Sequence, residues 1–205
     1  MEIQTNNIHL VGTVLDEPKI THEVMDEKFY EFNLGVGRVS GKYDILPVVL
    51  SERLYYNTIT KDSCVEINGE IRTRNEQDTT SKKSKLKISI FVREIGDAVE
   101  YLANEVCIRG FVCKEPVYRV TPFVREECDV LRAVNRRTNK SDYIPCIAWG
   151  RNAKFMKEVP IGKELTFTGR MQSRTYEKKH EDGSIENKVA YEMSIARIKE
   201  EVSEN

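Results

Sequence analysis

The chain carries one frame twice. Asn7-Ile8-His9-Leu10-Val11-Gly12, leading to Asp16-Glu17-Pro18, returns 98 positions later as Glu105 to Gly110 leading to Lys114-Glu115-Pro116. Val36, Arg38, Lys42, Asp44, Pro47 and Arg53 return at the same offset as Val134, Arg136, Lys140, Asp142, Pro145 and Arg151. After a two-residue insertion, Gly69 and Arg74 return as Gly169 and Arg174. A repeat of about 100 residues is the size of one compact domain. The 205 residues therefore read as two tandem units, 1–100 and 101–205.

Within each unit the apolar residues alternate with period 2. Ile8-Leu10-Gly12-Val14, Phe32-Leu34-Val36, Val65-Ile67-Gly69-Ile71 and Leu86-Ile88-Ile90-Val92 read as strands of the first copy. Val106-Ile108-Gly110-Val112, Leu165-Phe167-Gly169-Met171 and Val189-Tyr191-Met193-Ile195 read as strands of the second. Third strands run through Asp44–Leu50 and Asp142–Trp149. The alternation then breaks, and Ser51–Ile59 and Arg151–Val159 read as short helices, the second ended by Pro160 and Gly162. Five strands with one short helix between the third and fourth is the element order of the OB-fold, a small Greek-key barrel. The expected fold is therefore all-β, two tandem OB-fold barrels. Gly69 and Gly169 fit the bend that closes such a barrel. The polar stretches Asn75–Ser84 and Tyr176–Asn187 read as hairpin loops between the fourth and fifth strands. Glu94–Ala103 has no Gly/Ser tract, so the barrels are expected to dock instead of hanging on a flexible tether.

Composition narrows the function classes. A hydrophobic share of 40% can fill two small cores, and 32% charged residues suit a soluble protein. No stretch approaches the roughly 20 apolar residues of a membrane span, and the polar start Met1-Glu2-Ile3-Gln4 does not read as a signal peptide. Five cysteines, odd in number and without a CxxC spacing, read as buried free thiols in a reducing cytoplasm. No Ser/His/Asp, Cys/His or metal-ligand constellation appears, so neither an enzyme nor a cofactor is expected.

Charge is unevenly sorted between the copies. Residues 1–100 hold 13 Lys and Arg against 17 Asp and Glu; residues 101–205 hold 19 against 16. Four of those 19 lie between Arg132 and Lys140. Splitting each strand into two faces places Tyr143, Pro145, Ile147 and Trp149 outward on the third strand of the second copy. The same split puts Thr166, Thr168, Arg170, Gln172, Arg174 and Tyr176 outward on the fourth, with Arg109 and Phe111 outward on the first. Aromatic faces interleaved with cations are what sequence-tolerant single-strand binders use, with about 1–3 kcal/mol per stacked base. In the first copy Ile45 stands in the place of Tyr143, Ser51 of Trp149, Glu76 of Tyr176, Glu70 of Arg170 and Val11 of Arg109. That face is expected to be degenerate. Blander readings exist: Trp149 packed beneath the helix, Tyr143 and Tyr176 as cross-strand partners, and Arg132–Arg137 as a solvated strand end. Convergence on one face favours function.

The second copy resembles the bacterial single-stranded DNA-binding protein (SSB) family. The resemblance rests on Asn104 to Gly110 followed by Glu115-Pro116, on Arg132 to Arg136, on Tyr143 to Ala153, and on Gly162-Lys163, Gly169-Arg170 and Ser173-Arg174-Thr175-Tyr176. The first copy matches more faintly, through Asn7 to Gly12, Phe32 to Arg38 and Gly69 to Arg74. The whole chain looks like a tandem-OB variant. The resemblance implies single-stranded DNA as ligand, in replication, repair or recombination. It implies base stacking on Tyr143, Trp149 and Tyr176. Phe111 and the cations Arg109, Arg136, Arg137, Lys140, Arg151, Arg170 and Arg174 complete the expected site. It also implies a homodimer, which would reach the family's usual four OB-folds. The end Glu200-Glu201-Val202-Ser203-Glu204-Asn205 lacks the family's linker and apolar tip, which argues against recruitment of other proteins. Arg132 stands where the family's second strand is apolar and where Leu34 stands in the first copy. A protein-interaction adaptor on the same scaffold, or RNA binding, are the alternatives.

Overall fold

The structure is a computed structural model and describes residues 5–55, 59–77, 84–98, 101–136, 138–179 and 183–200. The first barrel consists of β1 (Asn6–Val14), β2 (Lys19–Val24), β3 (Glu27–Gly37), β4 (Tyr43–Ser51), β5 (Cys64–Gln77) and β6 (Ser84–Asp97). The second consists of β7 (Ala103–Val112), β8 (Val117–Val120), β9 (Glu126–Asn135), β10 (Ser141–Trp149), α1 (Arg151–Lys157), β11 (Glu164–Lys179) and β12 (Ile185–Glu200). Each barrel is antiparallel except for one parallel contact, β4 with β6 and β10 with β12. The pairings β1–β3 and β7–β9 close them. The period-2 residues supply the cores: Ile8, Leu10, Leu34, Leu46 and Ile67 in one barrel, Ile108, Ile144, Leu165, Phe167 and Met171 in the other, are fully buried.

The glycines inside the fourth core strands do what their spacing predicts. The ladder between β5 and β6 shifts register at Asn68/Gly69, and that between β11 and β12 at Thr168/Gly169. A methyl group at either glycine would run into the carbonyl of Phe91 or Ser194, so the strand can bend there only without a side chain.

Three features depart from the expectation. Each barrel has a sixth, short strand, β2 or β8, paired as a hairpin arm with β3 or β9. Every residue of β2 is exposed, so it has no inward face to leave an alternating signature. In the hairpins at Asn75–Ser84 and Tyr176–Asn187 the described residues are mostly strand; 78–83 and 180–182 lie outside the described residues. Main-chain pairing continues past the barrel to Gln77↔Ser84 and Lys179↔Ile185, which places Tyr176 on β11 opposite Lys188. The helix expected at Arg151–Val159 forms over Arg151–Lys157, with Ala153 and Met156 buried and Lys154 and Lys157 at its carboxyl end, where the helix dipole favours cations. Its counterpart at Ser51–Ile59 is not seen in the described part: Ser51 ends β4 and Glu52–Leu54 form a turn, while 56–58 lie outside the described residues. The cysteines are free, but only Cys128 and Cys146 are buried; Cys64 is exposed.

The barrels are docked, not tethered. β1 pairs antiparallel with β7 from Asn6↔Ile108 to Val11↔Ala103, so one sheet runs through both. Beside this ladder β11 packs on β4 and β5 packs on β10.

Candidate nucleic-acid interface

Strand register decides which side chains meet. Phe111 lies opposite Ala133, and Ala133 opposite Tyr143, so the two rings flank a small residue across β7, β9 and β10. Phe111 and Tyr143 are 38% and 44% exposed. Trp149 lies on the same face of β10, six residues on, roughly 20 Å away at strand spacing. It is 39% exposed and does not pack beneath α1 as a core residue would. Ile147, between them, is buried instead of facing solvent. Tyr176 projects from the β11–β12 arm, with the Arg174 guanidinium 5.8 Å from its ring centre. Tyr176 pairs with Lys188 on β12, outside the short parallel contact that Met193 and Ser194 make with Cys146 and Ile147 of β10.

The cations divide into two groups. Lys140, Arg151 and Arg174 are exposed. Arg137 lies outside the described residues. Arg109 is paired with Glu164 at 3.1 Å. Arg136 and Arg170 do not reach the aromatic face as free cations; they are drawn into the contact between the barrels. Arg136 donates through Nε to Asp142 at 2.7 Å and through Nη2 to the Thr73 carbonyl of the first barrel at 3.1 Å. Arg170 donates to Asp44 of the first barrel at 3.3 Å and to Gln172 at 3.1 Å. The Asp142 bond holds Arg136 above the usual arginine range, whereas burial, with Arg38 nearby, pulls Arg170 below it. Gln172, expected outward, is buried against Glu192 at 2.7 Å.

That contact is a pseudo-twofold clamp which the sequence reading missed. Asp44 is fully buried and accepts from Arg38 of its own barrel (Nε, 2.6 Å) and from Arg170 and the Ser173 amide (2.8 Å) of the other. Asp142, also fully buried, accepts from Arg136 of its own barrel and from Arg72 (3.0 Å) and the Thr73 amide (2.6 Å) of the other. The repeated Arg38/Asp44 and Arg136/Asp142 pairs were visible as part of the duplicated frame. Their cross-barrel donors were not, since no periodicity links residues about 70 or 130 positions apart.

Arg132 settles inside the second barrel. It is fully buried, its Nη2 donates to the Gly110 and Leu165 carbonyls, and its guanidinium lies 4.3 Å from the Phe167 ring centre. Its Nε and Nη1 have no partner among the described residues. Burial lowers it to about 10. It is a core residue, not a phosphate contact.

Residues 103–199 match the sequence model of the Single-strand binding protein family. The single-stranded DNA-binding protein of Clostridium tetani (strain Massachusetts / E88) is 32% identical over 83 residues, a match spanning 37% of this chain and 57% of that relative. The chain thus spans little more than half the length of that curated relative. The wild-type single-stranded DNA binding protein from Thermus aquaticus superposes with a TM-score of 0.75 at 18% identity, covering 98% of this chain and 94% of that one. A deletion mutant of the same Thermus aquaticus protein gives a TM-score of 0.75 at 17% identity, over 98% and 96%. At that identity the likeness speaks for the fold alone, and it extends over both barrels. The chain as a whole is therefore a pair of tandem OB-fold barrels, and the match to the Single-strand binding protein family is carried by the second of them, residues 103–199.

Proposed function

We propose that the second barrel binds single-stranded DNA without reading its sequence and without catalysis, as the family in general does in replication, repair or recombination. The observation that carries this reading is the half-exposed aromatic row: Phe111 and Tyr143 flanking Ala133, and Trp149 farther along the same face. Unstacked bases offer a π face to such rings whatever their identity. Tyr176 joins from the β11–β12 arm. Lys140, Arg151 and the exposed Arg174, which lies 3.9 Å from Glu192, are the cations that follow the backbone, while Arg109, Arg136 and Arg170 are given to carboxylates. The names of the family and of the Clostridium tetani relative support the choice of ligand. The first barrel has Ile45 and Ser51 at the places of Tyr143 and Trp149, and it serves as the supporting unit.

Tyr143→Ala and Trp149→Ala each weaken oligo-dT binding by about 1–3 kcal/mol, and Ile45→Ala leaves it unchanged. Unaltered affinity in the first two variants overturns the site. Affinity also falls with added salt, because bound phosphates release counterions. Competition among poly-dT, poly-U and duplex DNA, followed by Trp149 fluorescence, decides the ligand. Quenching by poly-dT alone supports this reading, quenching by poly-U shifts it to RNA, and no quenching moves it to a protein-interaction adaptor. A homodimer would present four barrels. Light scattering that gives the mass of two chains supports it, and the mass of one chain removes it. A cytoplasmic compartment is part of this reading, and the free thiols support it.

A further inference from the structure

The clamp between the barrels reaches the proposed strand-binding face at Thr73. Thr73, on β5 of the first barrel, is 8% exposed and has all its near polar groups engaged across the contact. Its amide donates to Asp142 Oδ1 at 2.6 Å, and its hydroxyl donates to the same oxygen at 3.5 Å. The Tyr143 amide in turn donates to the Thr73 hydroxyl oxygen at 2.8 Å. A relay therefore runs from the Tyr143 backbone through a first-barrel hydroxyl to the buried carboxylate of Asp142. Asp142 itself is held by Arg136 and Arg72 from both sides.

Tyr143 sits near the start of β10, where its half-exposed ring gains little from packing. Its neighbours across the ladder are Ala133 and, beyond it, Phe111. Alanine does not wall the ring in, so its direction follows the β10 backbone, which is held by the β9 ladder on one side and by the Thr73 bond at the Tyr143 amide. The pseudo-symmetric position carries the same bond without the same consequence. There the Ile45 amide donates to Ser173 Oγ at 2.9 Å, and the side chain so fixed is not aromatic. The clamp is kept on both sides of the duplication and the ring on one.

We propose that Thr73 of the first barrel is a positioning residue for Tyr143 of the second. The proposal rests on the reading that Tyr143 stacks on the bound strand. It gives the first barrel a specific part in binding that does not require it to touch DNA.

The test uses the full chain. Thr73→Val keeps the shape and the amide bond to Asp142 but removes the hydroxyl; Thr73→Ser keeps the hydroxyl. The valine variant lowers oligo-dT affinity by on the order of 3- to 10-fold, the effect of one lost hydrogen bond, and speeds hydrogen exchange at the Tyr143 amide. The serine variant returns both to wild type, which shows that loss of fold is not the cause. In a Tyr143→Ala background, Thr73→Val has no further effect on affinity, because the residue it positions is gone. An affinity loss of equal size in that background overturns the proposal. So does an unchanged exchange rate at Tyr143. If Tyr143→Ala alone leaves affinity intact, it is the stacking reading that fails, and amide exchange by itself then decides whether Thr73 holds Tyr143.

Discussion

The two barrels share a backbone plan and a mutual clamp, yet they differ in what the shared plan displays. Asp44 and Asp142 occupy equivalent places, are equally buried, and each collect donors from both barrels. Arg38 and Arg136, and the Thr73 and Ser173 amides, are copies of each other, but the cross-barrel arginines are not. Arg72 reaches Asp142 beside Glu70, whereas in the second barrel the places of Glu70 and Arg72 hold Arg170 and Gln172, and it is Arg170 that reaches Asp44. Charge has moved along the strand while the clamp has stayed. On the neighbouring face the difference is of another kind: Tyr143 and Trp149 in one barrel stand against Ile45 and Ser51 in the other, and Ser51 is buried in a hydrogen bond with Glu27. The structural half of the duplication tolerates rearranged partners. The half proposed to bind a strand is present once.

The strongest way to break this comparison is through the clamp. Asp142→Ala strips a buried carboxylate from Arg136, Arg72 and the Thr73 amide, leaving Arg136 without its carboxylate and Arg72 with Glu70 alone. Asp44→Ala strips the other from Arg38, Arg170 and the Ser173 amide. Each variant loses about 3–5 kcal/mol in a denaturant titration, the usual cost of leaving one side of a buried pair without its partner. Similar losses mean that the clamp works symmetrically. A loss at one aspartate alone means that one side carries the docking.

A second contrast lies inside the cores. Leu34 on β3 faces Leu46, and at the equivalent register Arg132 on β9 faces Ile144. The second barrel therefore bears a buried cation, two of whose guanidinium nitrogens have no partner among the described residues, where the first has a leucine. Arg132→Met, close in volume and without charge, raises stability by about 1–4 kcal/mol, since the desolvation of the guanidinium is no longer incurred. Thermal melting checks it. A fall in stability would mean that the carbonyl contacts and the Phe167 stacking outweigh that desolvation. Smaller still is the effect of lending the first barrel a ring. Ile45→Tyr, at a side chain already 45% exposed, tightens binding of long oligo-dT by about 1 kcal/mol, the low end of base stacking. No gain would show that Glu66 and Glu70, not the missing aromatic, keep that face from binding.

The sequence was most readable where one element speaks for itself. Ile8-Leu10 and Ile144-Cys146-Ala148 alternate because one face of a strand is buried, and those residues are indeed core. The repeat, the helix at Arg151 and the bends at Gly69 and Gly169 are equally local statements. β2 left no trace because all its residues are exposed. Arg170 and Arg136 read as outward cations because alternation reports a face and not what comes to cover it. In the fold that face is met by the other barrel, and the arginines turn to Asp44 and Asp142. Arg132 is the reverse case: its place in the alternation is an inward one, and the guanidinium follows the pattern despite its charge. The Thr73–Tyr143 bond needed the docking geometry itself.

The mildest contrast concerns pH. Where β5, β1 and the link between the barrels meet, the Tyr101 hydroxyl donates to Glu66, and a His9 ring nitrogen lies 2.7 Å from the same carboxylate. The second barrel has Thr166 and Cys107 at the places of Glu66 and His9, and its own phenol–carboxylate pair lies elsewhere, where the Tyr118 hydroxyl donates to Glu126 at 2.9 Å. The Tyr101 bond first, then the His9 bond, pull Glu66 below its ordinary value of 4.5, while Glu66 pushes Tyr101 above its ordinary 10.0. A lowered carboxylate stabilises the fold fully above its unfolded value and loses that effect as the pH falls through the folded one. A raised phenol stabilises below its unfolded value and loses the effect as the pH rises through the folded one. The difference in thermal midpoint between the wild type and Tyr101→Phe is therefore widest between about pH 5 and pH 9 and closes on both sides. Because all three side chains are partly exposed, the shift is small and salt-sensitive. A gap that persists unchanged at about pH 3 would mean that Tyr101 holds the link between the barrels by packing and not through Glu66.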